Sequence, residues 1–115
     1  MNRYCIFNEE NNIKILRFLT NITVENSGYI KERLEKFLSF ENKEIIIDFS
    51  DVYFIDSNGL GVIISLIQRA RKYNNRLIFI NVNSLIKNIL DITKVNRLMN
   101  ILDTYEEAKK YAMAL

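Results

Sequence analysis

Two fully apolar runs constrain the fold of this chain more than any other feature of its sequence. Residues 45–47 are all isoleucine, and residues 77–80 are Leu, Ile, Phe and Ile. Short apolar runs bounded by polar residues are typical of strands that are buried on both faces. We therefore predict two buried strands, at residues 44–49 and 76–81.

Around these runs the hydrophobic pattern changes to the 3.6-residue period of amphipathic helices. Helices are predicted at residues 24–40 with Thr23 as N-cap, at 59–73, at 85–93 with Ser84 as N-cap, and after the capping-box sequence Thr104-Tyr105-Glu106-Glu107. Further strands are predicted at residues 3–7 and 13–19, joined by a polar turn at 8–12, and at 98–102. This order predicts one α/β domain over residues 1–115, with a mixed, mostly parallel sheet, an N-terminal antiparallel hairpin and about four helices.

Composition narrows the class of protein. Hydrophobic residues make up 49% of the 115 residues, which is enough for one ordinary core, and 16 Lys and Arg nearly balance 14 Asp and Glu. The charges are interspersed, so no basic face for nucleic acid is expected. The sequence has no N-terminal signal pattern and no apolar run of about 18 residues. We therefore expect a cytoplasmic protein that does not enter a membrane.

The residues that serve the commonest catalytic and metal chemistry are missing. The chain has no histidine and one cysteine, Cys5, which lies in an apolar stretch where a buried side chain is expected. Ser-His and Cys-His nucleophile pairs are therefore excluded, and a zinc site is not expected. We predict that the protein is not an enzyme and requires no metal or cofactor.

The candidate functional site follows the first apolar run. A polar turn and a second apolar segment at residues 52–55 lead to Asp56-Ser57-Asn58-Gly59, and Gly59 and Gly61 are two of the three glycines in the chain. This motif places a hydroxyl beside a carboxylate at a helix N-terminus, where backbone N–H groups lack partners and negative charge is favoured. On the motif alone a structural cap is the simpler interpretation. If the motif is functional, a phosphorylatable switch site at Ser57 is favoured over a catalytic site.

The predicted helix at 59–73 carries a second expectation. Its main apolar stripe, predicted to face the sheet, consists of Leu60, Ile63, Ile64, Ile67 and Ala70. Three further apolar side chains, those of Val62, Leu66 and Tyr73, are predicted on a shoulder between that stripe and a polar arc that includes Arg69. A partly exposed apolar shoulder is typical of a docking surface. We therefore predict that a partner binds Val62, Leu66, Arg69 and Tyr73, although packing under neighbouring loops would explain the pattern equally well.

The whole arrangement resembles the STAS domain family, and specifically its stand-alone bacterial anti-sigma-factor antagonists. The resemblance is carried by the buried strand that ends at Asp48, by the second apolar segment and by Asp56-Ser57-x-Gly59-Leu60-Gly61-Val62, and it spans essentially the whole chain. It implies that Ser57 is the residue phosphorylated in this family, that Asp56 is the family's acidic residue and that Gly59 lets the backbone turn into the helix. Asn58 departs from the Ser, Thr or Ala that the family usually has there.

The same resemblance implies a partner-switching regulator of sigma-factor-dependent transcription. Unmodified protein would bind a partner that is both anti-sigma factor and serine kinase, phosphorylation of Ser57 would release that partner, and a serine phosphatase would reset the switch. The alternative is an accessory or scaffold subunit of a transport or signalling complex, with no phosphorylation switch. The sequence does not predict an oligomeric state.

Two other classes of α/β domain fit the sequence less well. A receiver-type phosphotransfer domain needs an acidic pair after its first strand and a lysine after a later strand, converging on Mg²⁺. Here Glu9-Glu10 lie between the two hairpin strands, and no lysine follows Ile80 directly. A dinucleotide-binding domain needs Gly-x-Gly-x-x-Gly after its first strand, which this chain lacks.

Overall fold

The computed structural model describes residues 4–114, which form a sheet covered on both faces by helices. The strands are β1 (Cys5–Glu10), β2 (Ile13–Phe18), β3 (Glu44–Asp48), β4 (Arg76–Ile80) and β5 (Ile101–Leu102). The helices are α1 (Ser27–Phe37), α2 (Ser57–Lys72), α3 (Ser84–Ile92) and α4 (Tyr105–Met113), with a short 3₁₀ helix at Val95–Leu98. In the sheet the strands follow their chain order, β1-β2-β3-β4-β5.

The direction of the strands confirms the predicted fold class. β1 and β2 are antiparallel, and the pairs β2–β3, β3–β4 and β4–β5 are parallel. The hairpin turns through Asn11 and Asn12, whose φ angles are 53° and 66°. Two positive φ angles define the tight turn whose twist matches that of the flanking strands. The turn is shorter than the predicted 8–12 because β1 continues to Glu10, and the predicted residue 3 of this strand lies outside the described residues.

Two apolar layers explain why residues 45–47 and 77–80 contain no polar side chain. On one face, alternate residues such as Ile45, Ile47 and Phe79 pack under α1, α2 and α3. On the other face, Ile46 and Ile78 pack against α4. The larger layer is centred on Phe49, whose ring lies 5.5 Å from that of Phe18 and 5.9 Å from that of Phe79. Burial on both faces is what the two apolar runs predicted.

Several predicted boundaries are wrong by one residue to one turn. Thr23 is not the N-cap of α1, because the chain makes a separate turn at Thr23, whose carbonyl accepts from the Ser27 N–H, and the helix begins only at Ser27. The N-cap of α3 is Asn83 and not Ser84, since the Asn83 side chain accepts from the Ile86 N–H at 2.9 Å. The last strand, predicted at 98–102, is confined to Ile101–Leu102, and Leu98 belongs to the 3₁₀ helix. The capping box at Thr104 is confirmed.

Left-handed backbone in this chain is provided mainly by asparagine. Six described residues have positive φ, and none of them is a glycine: Asn11, Asn12, Asn42, Asn74, Asn81 and Lys94. Asparagine visits this region more readily than most residues because its short amide can bond locally. The side chains of Asn74 and Asn42, for example, bond each other at 2.7 Å.

Candidate functional site

Asp56 is the N-cap of α2 and joins it to the segment before α1. One of its carboxylate oxygens, Oδ1, accepts from the backbone N–H groups of Asn58 and Gly59, each at 2.9 Å. The other, Oδ2, accepts from the Val24 N–H at 2.9 Å. These bonds, that from Gly59 first and then that from Val24, favour the carboxylate and hold the pKa of Asp56 below its ordinary value. Asp56 is therefore charged and fixed in place at neutral pH.

Ser57 is the first residue of α2, and its side chain is exposed. Its hydroxyl makes no hydrogen bond to another described residue. The N–H groups of the first turn that a hydroxyl could have bonded are already taken by Asp56. The carboxylate cap therefore leaves the Ser57 hydroxyl free for a reaction or a partner, with the exposed Asn58 beside it.

Gly59 is required by close packing and not by its backbone angles. A Cβ atom at this position would lie 2.1 Å from the carbonyl oxygen of Ile22 and 2.9 Å from the Cβ of Ile55. No described glycine has a positive φ, so the turn into the helix does not need the conformational freedom of Gly59. This corrects the role that the family resemblance implies. A Cβ atom at Gly61 would have only the Lys31 ammonium nearby, at 3.7 Å, which is an ordinary contact distance.

The loop before the site is held by two asparagines that the sequence analysis did not identify. The Asn21 side chain accepts from the backbone N–H groups of Tyr53 and Phe54 at 2.8 and 3.0 Å. The Asn83 side chain donates to the Tyr53 carbonyl at 3.1 Å. Both asparagines are about 30 residues away in sequence, so no local pattern could have indicated these bonds.

The predicted docking shoulder on α2 is wrong for two of its residues. The side chains of Val62 and Leu66 are 0% and 2% exposed, and both belong to the main core. Helix α1 covers this side of α2 and places Leu34 beside Leu66. Leu60 and Ile64, assigned to the buried stripe, are instead only half-buried. The predicted helical period of α2 is right, but the predicted direction of its buried face is wrong. The reason is that α2 packs against α1 as well as against the sheet.

Arg69 holds the C-terminal half of α2 against α1. The Arg69 guanidinium donates to the backbone carbonyls of Leu38 and Glu35 at 3.0 and 2.7 Å. The Tyr73 ring lies 5.2 Å from the same guanidinium and is half-buried. Cations are favoured near the C-terminus of a helix, which is where Arg69 meets α1. The predicted docking residues are thus not gathered around Ser57.

Exposed apolar side chains do lie beside Ser57, but on loops. Val24 is 67% exposed, Tyr53 is 66% exposed and Phe54 is 45% exposed. Val24 is bonded to Asp56, and the other two directly precede the segment that leads to it. We call Val24, Tyr53 and Phe54 the loop face. Large exposed apolar groups next to a free hydroxyl are features of a surface that binds another protein.

Residues 4–114 contain neither a metal-binding cluster nor a membrane-spanning helix. No group of three or more Cys, Asp or Glu side chains there is placed to hold a metal ion. No helix in that part of the chain is long and apolar enough to cross a membrane.

The fold is an α/β domain with a mixed five-stranded sheet. The site is the start of the helix that follows the third strand, where a carboxylate caps the helix and its first residue is an exposed serine. The family of STAS domains matches residues 4–108. The chain belongs to this family.

Two relatives and one more distant structure show what the chain is similar to. A protein of Thermotoga neapolitana, provisionally named as an anti-sigma factor antagonist, is 30% identical over 88 residues, which are 76% of this chain and 78% of that protein. The crystal structure of a Thermotoga maritima protein with the same provisional name has a TM-score of 0.82 at 26% identity and covers 94% of this chain and 93% of its own. The Bacillus cell fate determinant SpoIIAA, in its phosphorylated form, has a TM-score of 0.69 at 17% identity, with coverage of 93% and 97%. The names of the two Thermotoga proteins describe regulators.

Proposed function

We propose that this protein is an anti-sigma factor antagonist that binds its partner when Ser57 is unmodified and releases it when Ser57 is phosphorylated. The observation that carries the proposal is the free, exposed hydroxyl of Ser57 beside the fixed carboxylate of Asp56. The names of the Thermotoga relatives support the class of partner, an anti-sigma factor. The similar fold of SpoIIAA in its phosphorylated form supports the idea that this fold tolerates phosphorylation.

Electrostatics explain how one phosphate could switch binding without changing the fold. The modification adds about −1.5 to −2 charge at neutral pH. In the free protein this charge remains in water at a helix N-terminus, where negative charge is favoured. In a complex it would lose water beside Asp56, whose carboxylate already occupies the N–H groups of Asn58 and Gly59. Burying a charge without a matched partner costs roughly several kcal/mol, and about 1.4 kcal/mol corresponds to tenfold in affinity.

The loop face provides the apolar contact that such a complex needs. Tyr53 and Phe54 are held on the Asn21 side chain through their backbone N–H groups, so their rings are presented by a fixed segment. Aromatic residues held in this way lose little conformational freedom on binding and are common binding hot spots. We therefore place the partner over Ser57 and the loop face, and not over Val62 and Leu66.

Titration calorimetry with the purified partner kinase tests the switch. Ser57→Ala should bind at least as tightly as the unmodified protein, and Ser57→Asp should bind at least about tenfold more weakly. Ser39→Asp is the control, because Ser39 is also an exposed serine but follows Leu38, whose carbonyl bonds Arg69 in the other half of α2. Intact-mass measurement after incubation with the kinase and ATP should show one added phosphate, which Ser57→Ala abolishes. Equal affinity of Ser57→Asp and the unmodified protein would refute the switch and favour the scaffold alternative.

A second pair of variants tests the position of the partner. Tyr53→Ser should weaken binding at least about tenfold, as expected for loss of an aromatic hot spot, without unfolding the domain. Leu98→Ser is the control, because Leu98 is 51% exposed but lies beside the C-terminal half of α2 with Ala70 and Arg71. Circular dichroism checks that both variants are folded. If only the control weakens binding, the partner does not bind the loop face.

A further inference from the structure

Lys31 of helix α1 reaches across to helix α2. Its ammonium group lies 3.7 Å from the position that a Cβ atom would occupy at Gly61. The side chain is exposed, and no carboxylate among residues 4–114 forms an ion pair with it. Glu35 follows one turn further along α1, but the ammonium extends toward α2 instead. Lys31 therefore places an unpaired positive charge on the surface of α2.

Gly61 and Ser57 lie one turn apart on the same face of α2. Residues at positions i and i+4 of a helix are neighbours, with roughly 5–6 Å between their Cβ atoms. A helical side chain leans toward the N-terminus and covers the turn before its own position. A side chain at position 61 would therefore extend from beside the Lys31 ammonium toward Ser57. Because the residue is glycine, this part of the helix surface is left open between the two groups.

Two other cations, Arg69 and Lys72, line the groove between α1 and α2 together with Lys31, but both are far from Ser57. A helix rises 1.5 Å per residue, so they lie about 18 and 22 Å further along the axis of α2. The Arg69 guanidinium is also bonded already to two backbone carbonyls. Lys31 is thus the cation at the Ser57 end of this groove.

The backbone donors that follow Ser57 are not available to a phosphate on its hydroxyl. The N–H groups of Asn58 and Gly59 are bonded to the carboxylate of Asp56, and the Leu60 N–H is bonded to the Asp56 carbonyl. The negative charge of Asp56 also repels a phosphate. A phosphate at this position therefore needs a side-chain cation for a direct ion pair.

We propose that Lys31 is the cationic partner of the phosphate on Ser57. This inference rests on the proposed function, because it needs a phosphate at that residue. The flexible four-carbon stem of a lysine lets its ammonium group move toward Ser57 while the backbone stays in place. Hydrogen bonds from an ammonium to a phosphate are charge-assisted and are stronger than bonds between neutral groups.

The ion pair strengthens the proposed switch in two ways. It stabilises the phosphorylated chain in the absence of the partner, so a returning partner has to separate or bury an ion pair as well as cover the phosphate. It also favours the doubly charged form of the phosphate, because an opposite charge nearby lowers the pKa of an acid. The modified chain therefore carries its full negative charge at neutral pH.

Phosphorus-31 NMR tests the pair in chains that carry phosphoserine incorporated at position 57 during synthesis. The signal moves as the second proton of the phosphate dissociates, ordinarily at about pH 6. Lys31→Met should raise the midpoint of this titration by roughly half a pH unit, as expected for the loss of a surface ion pair. Lys31→Arg keeps the charge and should keep the lower midpoint. Asp56 is present in every variant, so its repulsion does not affect the comparison.

Lys36→Met is the matched control. Lys36 is also an exposed lysine of α1 that forms no ion pair within residues 4–114, but it lies in the last turn of the helix. Its replacement removes the same charge and should leave the midpoint close to that of the unsubstituted chain. Circular dichroism checks that each variant is folded.

Two results would overturn the inference. Equal midpoints in the unsubstituted chain and in Lys31→Met would show that the ammonium does not pair with the phosphate. An equal rise in Lys36→Met would show that only the overall charge of the chain matters. Because the phosphoserine is incorporated during synthesis, neither result depends on a kinase. A partner that fails to modify Ser57 would refute the proposed function and would leave the NMR comparison unchanged.

Discussion

The N–H groups in the first turns of α2 and α4 are capped by different side-chain groups. At α4 the cap is a hydroxyl: Thr104 Oγ1 accepts from the Glu107 N–H at 3.2 Å, and the Glu107 carboxylate accepts in return from the Thr104 N–H at 3.1 Å. At α2 the cap is the carboxylate of Asp56, and the neighbouring hydroxyl of Ser57 is left without a bond. One helix start uses its hydroxyl in folding, and the other keeps its hydroxyl available.

The two helix starts also differ in what they are attached to. The bonds that cap α4 stay within residues 103–107. The start of α2 is fixed to a distant segment, by the bond from Asp56 to Val24 and by the contact of Gly59 with the Ile22 carbonyl. Ser57 therefore keeps a free hydroxyl while the backbone around it is fixed, which suits the proposed recognition of Ser57 by a kinase.

The largest expected effect comes from breaking the attachment of α2. Gly59→Ala should lower the free energy of unfolding by roughly 3 kcal/mol, because its methyl group would overlap the Ile22 backbone. Gly61→Ala, one helical position further on, should instead raise it by roughly 0.5–1 kcal/mol, because the site has room and alanine favours a helix. Urea unfolding of the two variants measures both. Similar destabilisation by both would mean that the close contact at Gly59 is not what fixes the helix.

A smaller effect is expected at α4. Thr104→Ala removes the hydroxyl cap and should lower the free energy of unfolding by about 1 kcal/mol. Thr104→Ser keeps the oxygen and should change the stability by a few tenths of that amount at most. The same urea unfolding measures both variants. An equal loss from serine and alanine would show that the methyl group of Thr104, and not its cap, stabilises the helix.

The smallest effect distinguishes the two caps by pH. The pKa of Asp56 is lowered on folding, so its bonds contribute stability above its ordinary value of 3.8 and lose it as the pH falls through the lower folded pKa. Neither the hydroxyl of Thr104 nor the side-chain amide of Asn83, which caps α3, titrates in this range. In an NMR titration, the amide signals of Asn58 and Gly59 should therefore move below pH 3.8, while that of Ile86, which is bonded to Asn83, does not follow the same curve. A midpoint above 3.8 for Asn58 and Gly59 would contradict the bonds described at Asp56.

The layered fold was predictable because its strongest signals are local. The runs at 45–47 and 77–80 have apolar side chains on both faces, and the structure buries both faces. The sequence Asp56-Ser57-Asn58-Gly59 was predictable as a helix start for the same reason, since a cap bonds only to the next few residues. What these features share is that neighbours in sequence determine them.

The errors arose where distant segments decide the outcome. A helical wheel gives the period of α2 but cannot show that α1 covers Val62 and Leu66. No sequence pattern indicates that Asn21 carries Tyr53 and Phe54, or that Gly59 is pressed against Ile22. The hydroxyl of the site was therefore predictable, and the surface around it was not.

The asparagines with left-handed backbone have a consequence for the unfolded chain. Asn42 and Asn74 hold positive φ angles at which glycine is the usual choice. A glycine would adopt these angles without strain, but it would also give the unfolded chain more conformations to lose on folding. Asparagine at these turn positions is slightly more strained than glycine would be, but the chain loses less conformational entropy when it folds. The chain can thus form these left-handed turns although the whole sequence contains only three glycines.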